Sequence, residues 1–126
     1  MESKLTKSPL PAIYVALMPM LKEIARLHGY ALAAHGSMER DLDLIAIPWK
    51  EDALPEVELV EAIRVSIGGH RPGTDIKYKR ETPEKKPHGR LAWSFYFDEK
   101  RARIEEGPYI DISVMPRLYL VKDAPK

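Results

Sequence analysis

Residues 30–48 of the 126-residue chain read YALAAHGSMERDLDLIAIP, two apolar runs with a polar segment between them. Residues 30–34 form a short apolar run bounded by glycines, which predicts a first strand. Residues 42–47 (LDLIAI) predict a second strand, which ends at Pro48 because proline cannot donate to a central ladder. The stretch therefore predicts two strands joined by a short polar turn.

Amphipathic helices are predicted on both sides of this stretch. Before it, the Ser-Pro pair at residues 8–9 is typical of a helix start, and apolar residues recur at helical spacing until Gly29. Pro19 removes a backbone hydrogen bond inside this helix and predicts a kink or a late restart. After the stretch, Pro55 begins a second helix that ends at residues 68–69. The predicted apolar face of the first helix is Ile13, Leu17, Leu21, Ile24 and Leu27, and that of the second is Val57, Val60, Ile63 or Arg64, and Ile67.

The C-terminal half of the chain predicts an antiparallel hairpin. Residues 91–97 and 109–115 each alternate between apolar and polar positions, and the charged residues 98–107 between them predict a long exposed turn. Residues 70–89 are polar and contain several Pro and Gly, which indicates a loop with a brief strand at residues 76–79.

The predicted order of elements, α-β-β-α-β-β, indicates an α+β fold in a single domain over residues 1–126. Packing both helices on one face of a small mixed or antiparallel sheet buries their apolar faces and leaves the other sheet face open. We therefore look for chemistry on that open face.

Composition and charge exclude several classes of protein. Lys and Arg number 20 against 19 Asp and Glu, so the formal charge of +1 excludes a strongly basic nucleic-acid coat. The absence of cysteine excludes a thiol nucleophile and Cys-ligated metal sites. No apolar run approaches the roughly 18 residues of a membrane span, and the first residues lack the apolar stretch of a signal peptide. We expect a cytosolic protein without membrane contact.

Three aspartates lie on strands that are otherwise apolar. Asp41 and Asp43 stand two residues apart, so the period of a strand directs both carboxylates to one face. Asp111 lies between two isoleucines in YIDIS. Neighbouring carboxylates repel each other, so a divalent cation, Mg²⁺ or Mn²⁺, is the expected partner if the two strands are adjacent. The alternative is that the Asp-x-Asp doublet is an ordinary solvated strand end.

The turn before the doublet has residues that suit a phosphate. Gly36 permits close approach of the backbone, and the Ser37 hydroxyl with nearby N–H groups can hold phosphate oxygens. The guanidinium of Arg40 adds further donors. Alternatively, Gly36 and Ser37 are ordinary turn residues, and Arg40 pairs with Glu39 or another acid on the surface.

The segment GSMERDLDLIAI (residues 36–47), followed by the single acid of YIDIS, resembles the nucleotidyltransferase superfamily, which includes DNA polymerase beta, CCA-adding enzymes and small antibiotic nucleotidyltransferases. It also looks like the same segment of small phage and bacterial proteins with this core. The resemblance implies that three acids bind two Mg²⁺ ions and that the Gly-Ser pair holds the triphosphate of an incoming nucleotide. Carried over by motif, the acids are Asp41, Asp43 and Asp111, and the pair is Gly36 and Ser37.

The chain departs from that family in two respects. Residues 38–40 alone separate the Gly-Ser pair from the first acid, where the family usually has a helical turn and a loop. No C-terminal helical domain follows the last predicted strand to hold the acceptor. The acceptor site is then minimal, shared with another subunit, or absent, which leaves a homo-oligomer open.

Three functions are therefore weighed. The first is a Mg²⁺-dependent nucleotidyltransferase that moves a nucleoside monophosphate from a nucleoside triphosphate such as ATP to an acceptor hydroxyl on a nucleic acid, a protein or a small molecule. The second is an inactive scaffold of the same fold that binds a nucleotide, a nucleic-acid end or a protein. The third is an interaction surface that needs no metal. Residues 71–90 carry seven Lys or Arg against three acids, which predicts either a solvated loop or a contact with a triphosphate or nucleic-acid end.

Overall fold

The computed structural model describes residues 8–73 and 83–117. The strand predicted at residues 76–79 lies outside these residues. In chain order the described elements are α1 (Leu10–Leu27), β1 (Tyr30–His35), β2 (Leu42–Pro48), α2 (Glu56–Ile67), β3 (Glu84–Lys85), β4 (Leu91–Tyr96), α3 (Glu99–Ile104) and β5 (Tyr109–Val114), with a 3-10 turn at Pro87–Gly89.

The strands form one five-stranded sheet in the order β1-β2-β5-β4-β3. β2 and β5 are parallel neighbours, whereas the other three pairs of strands are antiparallel. The mixed sheet with its helices confirms the predicted α+β class. The β4–β5 pair is the predicted hairpin, and β5 inserts between β4 and β2.

The helices α1 and α2 cover one face of this sheet. Their fully buried side chains, such as Leu21 and Ile63, form one core with Leu44 of β2 and Ile112 of β5. The predicted one-sided packing is therefore confirmed. On each strand the alternate residues point to the opposite face, which we call the open face. Within the described parts of the chain, no helix combines the length and the apolar character that crossing a membrane requires.

The helix α1 runs through Pro19 as one element of 18 residues, so the predicted restart does not occur. Pro9 is its N-cap, and the hydroxyl of Ser8 accepts a hydrogen bond from the amide of Leu10. Pro19 lies on the exposed side of α1. A carbonyl that loses its helical donor there is able to bond water, which explains why the helix tolerates this proline.

The apolar face of α2 agrees with the prediction at residues 60, 63 and 67 and differs at its start, where Leu59 takes the place of Val57. Leu59, Val60 and Ile63 are buried, whereas Val57 is 61% exposed. Residues 59, 60, 63 and 67 form the apolar stripe at helical spacing, and Val57 lies at its margin. Arg64 takes no part in that stripe, because its guanidinium pairs with Glu61.

The connection between β4 and β5 is not the long exposed turn that the sequence predicted. It contains the helix α3, whose N-cap Asp98 accepts a hydrogen bond of 2.8 Å from the amide of Arg101. Ala102 of this helix is fully buried. An Asp before a run of good helix formers is a start signal, and the run's high charge concealed it.

Candidate functional site

A row of four polar side chains crosses the open face. His35 of β1 lies opposite Asp43 of β2, Asp43 lies opposite Asp111 of β5, and Asp111 lies opposite Ser94 of β4. Residues in direct register on neighbouring strands point to the same face at a strand spacing of about 4.8 Å. The row therefore brings two of the three predicted acids together as neighbours.

Asp43 and Asp111 form a carboxylate pair that is partly buried. Burial raises the pKa of Asp111 above its ordinary value, and the negative charge of Asp43 raises it further. The hydroxyl of Ser94 donates to Oδ1 of Asp111 at 3.2 Å, and this bond opposes the rise in pKa. A positive charge on the open face would relieve the repulsion within the pair.

Asp41 lies directly before β2, next to the pair, and it is already engaged. Its Oδ1 accepts the backbone N–H of Tyr109 at 3.3 Å and lies 3.9 Å from Nε of Arg40. Burial raises the pKa of Tyr109, and the charges of all three aspartates add to that rise. The three carboxylates therefore act on one region of the open face.

That region does not yet amount to a three-acid metal cluster. Across residues 8–73 and 83–117, no group of three or more His, Cys, Asp and Glu side chains is arranged to hold a metal ion. The pair is in direct register, while Asp41 lies beside it with its carboxylate turned to the β5 backbone.

Tyr14 supports the same region from the core side. It is fully buried in α1, and its hydroxyl donates to the backbone carbonyl of Arg40. Burial, with the charges of Asp41 and Asp43, raises the pKa of Tyr14 to about 12. The helix thus fixes the backbone directly before the doublet.

The Gly-Ser turn packs against the acid pair. Gly36 has φ +81°, and a side-chain carbon there would lie 3.1 Å from Oδ2 of Asp43. The hydroxyl of Ser37 accepts the amide of Glu39 at 3.3 Å, as in an ordinary turn. Met38 also has a positive φ and packs its side chain against the core. The turn is therefore tight, and Gly36 contacts the carboxylate of Asp43 so closely that a side chain has little room there.

Arg40 lies on the flank of this turn. Its side chain is 67% exposed, and it contacts Oδ1 of Asp41 and the carbonyl of Gly107. Of the alternatives that the sequence left open, pairing of Arg40 with a neighbouring acid is the one observed, and that acid is Asp41 rather than Glu39.

Three features of the site were not assigned from sequence. Ser94 bonds to Asp111, and the alternation of residues 91–97 already placed it on the open face. Tyr109 lies between the acids and Tyr96. The ring centroids of Tyr96 and Tyr109 are 5.5 Å apart, and Tyr96 is only 7% exposed. Arg90 donates to the hydroxyl of Ser113, and only the register of β4 against β5 reveals this contact.

Comparisons with models of protein families, with curated proteins and with solved structures found no match to this chain.

Proposed function

We propose that this protein is a cytosolic, Mg²⁺-dependent nucleotidyltransferase that moves a nucleoside monophosphate from a nucleoside triphosphate to an acceptor hydroxyl. The observation that supports this proposal is the direct register of Asp43 and Asp111 on neighbouring parallel strands of an open sheet face. The pair joins two acids that are remote in the chain, and Asp41 lies beside it.

The donor set fits Mg²⁺ or Mn²⁺. It consists of carboxylate oxygens, the hard ligands that these ions prefer. Magnesium sites commonly use one or two carboxylates and complete the shell with water and substrate phosphates, so the pair of Asp43 and Asp111 is sufficient for an ion. Asp41 is the further ligand that the resemblance implies. A bound ion would offset the negative charge of the triphosphate and of the leaving pyrophosphate.

The residues of the chain then act by position and charge. The acceptor oxygen forms a bond to the α-phosphorus, the bond from that phosphorus to the bridging oxygen breaks, and pyrophosphate leaves. Asp111 takes the proton of the acceptor hydroxyl, and the hydroxyl of Ser94, which donates to Oδ1 of Asp111, orients the carboxylate. Because catalysis rests on positioning and charge, no protein nucleophile is required.

The test is the variant Asp43→Asn, which keeps the shape of the side chain and removes its charge. We expect the release of pyrophosphate from nucleoside triphosphates to fall by about a hundredfold or more, while the far-ultraviolet circular dichroism spectrum stays unchanged. Asp52→Asn, at an exposed position outside the helices and strands, is the matched control and keeps full activity. Unchanged turnover in Asp43→Asn would contradict the proposal.

A second candidate is a binding protein of the same fold that carries out no transfer. The engagement of Asp41 by the amide of Tyr109 favours it, because this contact leaves a carboxylate pair rather than a trio. Ligands that bind only the folded state raise the melting temperature by mass action. A rise with Mg²⁺ and ATP together, without pyrophosphate release, supports the binding protein. A melting temperature indifferent to both ligands contradicts transfer and nucleotide binding alike, and it supports the interaction surface that needs no metal.

A further inference from the structure

Two cations share the open face with the carboxylate pair. The amide of Lys86 donates to the carbonyl of Arg90 at 2.9 Å, which extends the β3–β4 pairing by one position. Side chains alternate along a strand, so Arg90 lies on the same face as Ala92. Ala92 is opposite Ser113, which is two residues from Asp111 on β5. Lys86 and Arg90 therefore lie on the open face, displaced along the strands from the pair of Asp43 and Asp111.

Both cationic side chains are held at this position. Nη1 of Arg90 donates to the hydroxyl of Ser113 at 3.3 Å, and Ser113 is only 4% exposed. Nζ of Lys86 lies 3.2 Å from Oε2 of Glu84. Across residues 8–73 and 83–117, the recorded partners of the Arg90 guanidinium are uncharged: the hydroxyl of Ser113 and the carbonyl of Pro87, which Nε contacts at 3.3 Å.

The two ends of the open face differ in charge. From Asp111, one direction along β5 leads to Tyr109 and the carboxylate of Asp41. The opposite direction leads to Ser113 and then to two cations and one acid, since Glu84 pairs with Lys86. This second end therefore has a net positive charge that attracts a polyanion bound at the pair through a cation, whereas the first end has none, because Arg40 is matched by Asp41.

The turn at residues 36–37 is less suited to the same anion. Gly36 is backed against Oδ2 of Asp43, and the hydroxyl of Ser37 already bonds to the amide of Glu39. Arg40 lies at the acidic end, where its nearest charged partner is Asp41. A phosphate bound at this turn would lie beside the carboxylates of Asp41 and Asp43, which would repel it.

We infer that the polyphosphate of the ligand lies along the open face from the pair of Asp43 and Asp111 toward Arg90 and Lys86, which bind its terminal phosphates. The Gly-Ser turn then shapes the carboxylate pair and does not hold the triphosphate. This inference rests on the proposed nucleotide site. It leaves the end of the face near Tyr109 for the nucleoside and the acceptor.

The test measures binding of inorganic triphosphate in the presence of Mg²⁺ by titration calorimetry on the full chain. We expect Arg90→Gln and Lys86→Gln each to weaken the affinity about tenfold, since each removes a charge-assisted contact. Arg90→Lys, which keeps the charge without the guanidinium fork, should weaken it less than Arg90→Gln. The control is Arg103→Gln in α3, beyond the opposite end of β4, with an affinity within about twofold of wild type.

Arg40→Gln tests the competing site at the turn. Wild-type affinity in this variant supports the inference, whereas loss of affinity in Arg40→Gln with none in Arg90→Gln and Lys86→Gln overturns it. Failure of inorganic triphosphate to bind the wild-type protein also overturns it. Melting curves of each variant check that the fold is intact. Because Lys86 is exposed, we expect Lys86→Gln to keep the fold.

The failure of this inference is distinguishable from the failure of the proposed function. Binding that depends on Arg90, without pyrophosphate release from any nucleoside triphosphate, supports the polyphosphate site and contradicts transfer. Pyrophosphate release that is lost in Asp43→Asn, with triphosphate binding unchanged in both Arg90→Gln and Lys86→Gln, overturns the polyphosphate site and leaves transfer standing.

Discussion

Asp111 carries an electrostatic cost in the protein without a bound cation. Burial and the charge of Asp43 raise its pKa, so the folded state holds the Asp111 proton more tightly than the unfolded state does. The free energy of unfolding therefore rises as the pH falls through the raised pKa toward the ordinary value of 3.8, and it is lower at neutral pH. The site is less stable with its acid ionised than with a neutral group in its place.

The variant Asp111→Asn should therefore stabilise the metal-free protein at pH 7, by about 0.5–2 kcal/mol, the range typical when an unfavourable charge is removed. An amide oxygen still accepts the hydroxyl of Ser94, so the packing of the row is kept. Urea unfolding monitored by circular dichroism measures the change, with Asp52→Asn as the control. Destabilisation by more than about 1 kcal/mol would show that the burial of the Asp111 charge and its repulsion by Asp43 do not dominate its effect on stability.

Gly36 offers a matched comparison with Gly68. Both have positive φ, and an added side-chain carbon meets Oδ2 of Asp43 at Gly36 but open space at Gly68. We expect each change to Ala to cost about 1–2 kcal/mol of unfolding free energy through backbone strain. Only Gly36→Ala should also weaken the rise in melting temperature caused by Mg²⁺ with ATP, because it displaces the carboxylate of Asp43. An equal rise in melting temperature with Mg²⁺ and ATP in both variants would show that the turn does not affect ligand binding at the site.

At the level of helices and strands, local patterns predicted the faces of the strands well, the faces of the helices in part, and the neighbours of the strands poorly. Ile13 and Leu27, both predicted on the apolar face of α1, are 47% and 65% exposed. The alternation in residues 91–97 and 109–115 correctly separated core positions from open-face positions, because successive side chains of a strand point to opposite faces of the sheet. The adjacency of β2 and β5 was not predictable in the same way. Their pairing joins segments separated by α2, β3, β4 and α3, and no local periodicity encodes such a distant partner.

The helix α3 depends on its N-cap more than the longer helices do. It has six residues, too few to be stable without tertiary contacts, and Asp98 bonds both the amide and the side chain of Arg101. Asp98→Ala should lower the unfolding free energy by about 1 kcal/mol. Hydrogen exchange should rise first at the amides of α3. Asp52→Ala, at an exposed position without a capping bond, is the control, and equal effects of the two changes would contradict the capping role.

For the whole molecule, the candidate site was predictable to the extent that it lies on strands. The periods of β2 and β5 placed Asp43 and Asp111 on one face, and only the parallel register then had to be found. The contacts of Arg40 with the Gly107 carbonyl and of Arg90 with the Ser113 hydroxyl were not predictable, since a long side chain at a turn or strand end contacts the nearest acceptor in three dimensions. Asp41 illustrates the same limit, because its partner is a backbone amide of β5.

A second carboxylate, Glu61, changes the stability of the whole fold with pH in the direction opposite to Asp111. Glu61 accepts hydrogen bonds from Arg64 in its own helix and from Arg71 beyond the end of α2. It therefore links α2 to the segment that follows it. The bond to Arg64 lowers the pKa of Glu61 below its ordinary value of 4.5. Its contribution to stability is therefore fully present above pH 4.5, and it is lost as the pH falls through the lowered pKa.

Glu61→Gln should lower the unfolding free energy at pH 7 by up to about 1 kcal/mol, since the pair is partly exposed, and should have a smaller effect below the lowered pKa. Urea titrations between pH 7 and pH 3 on the wild type, Glu61→Gln and Asp111→Asn separate the two acids. The Glu61 variant should lose part of the acid-induced fall in stability, whereas the Asp111 variant should show a steeper fall, because it lacks the opposing gain. Parallel pH profiles in all three proteins would mean that neither carboxylate governs the acid response of this fold.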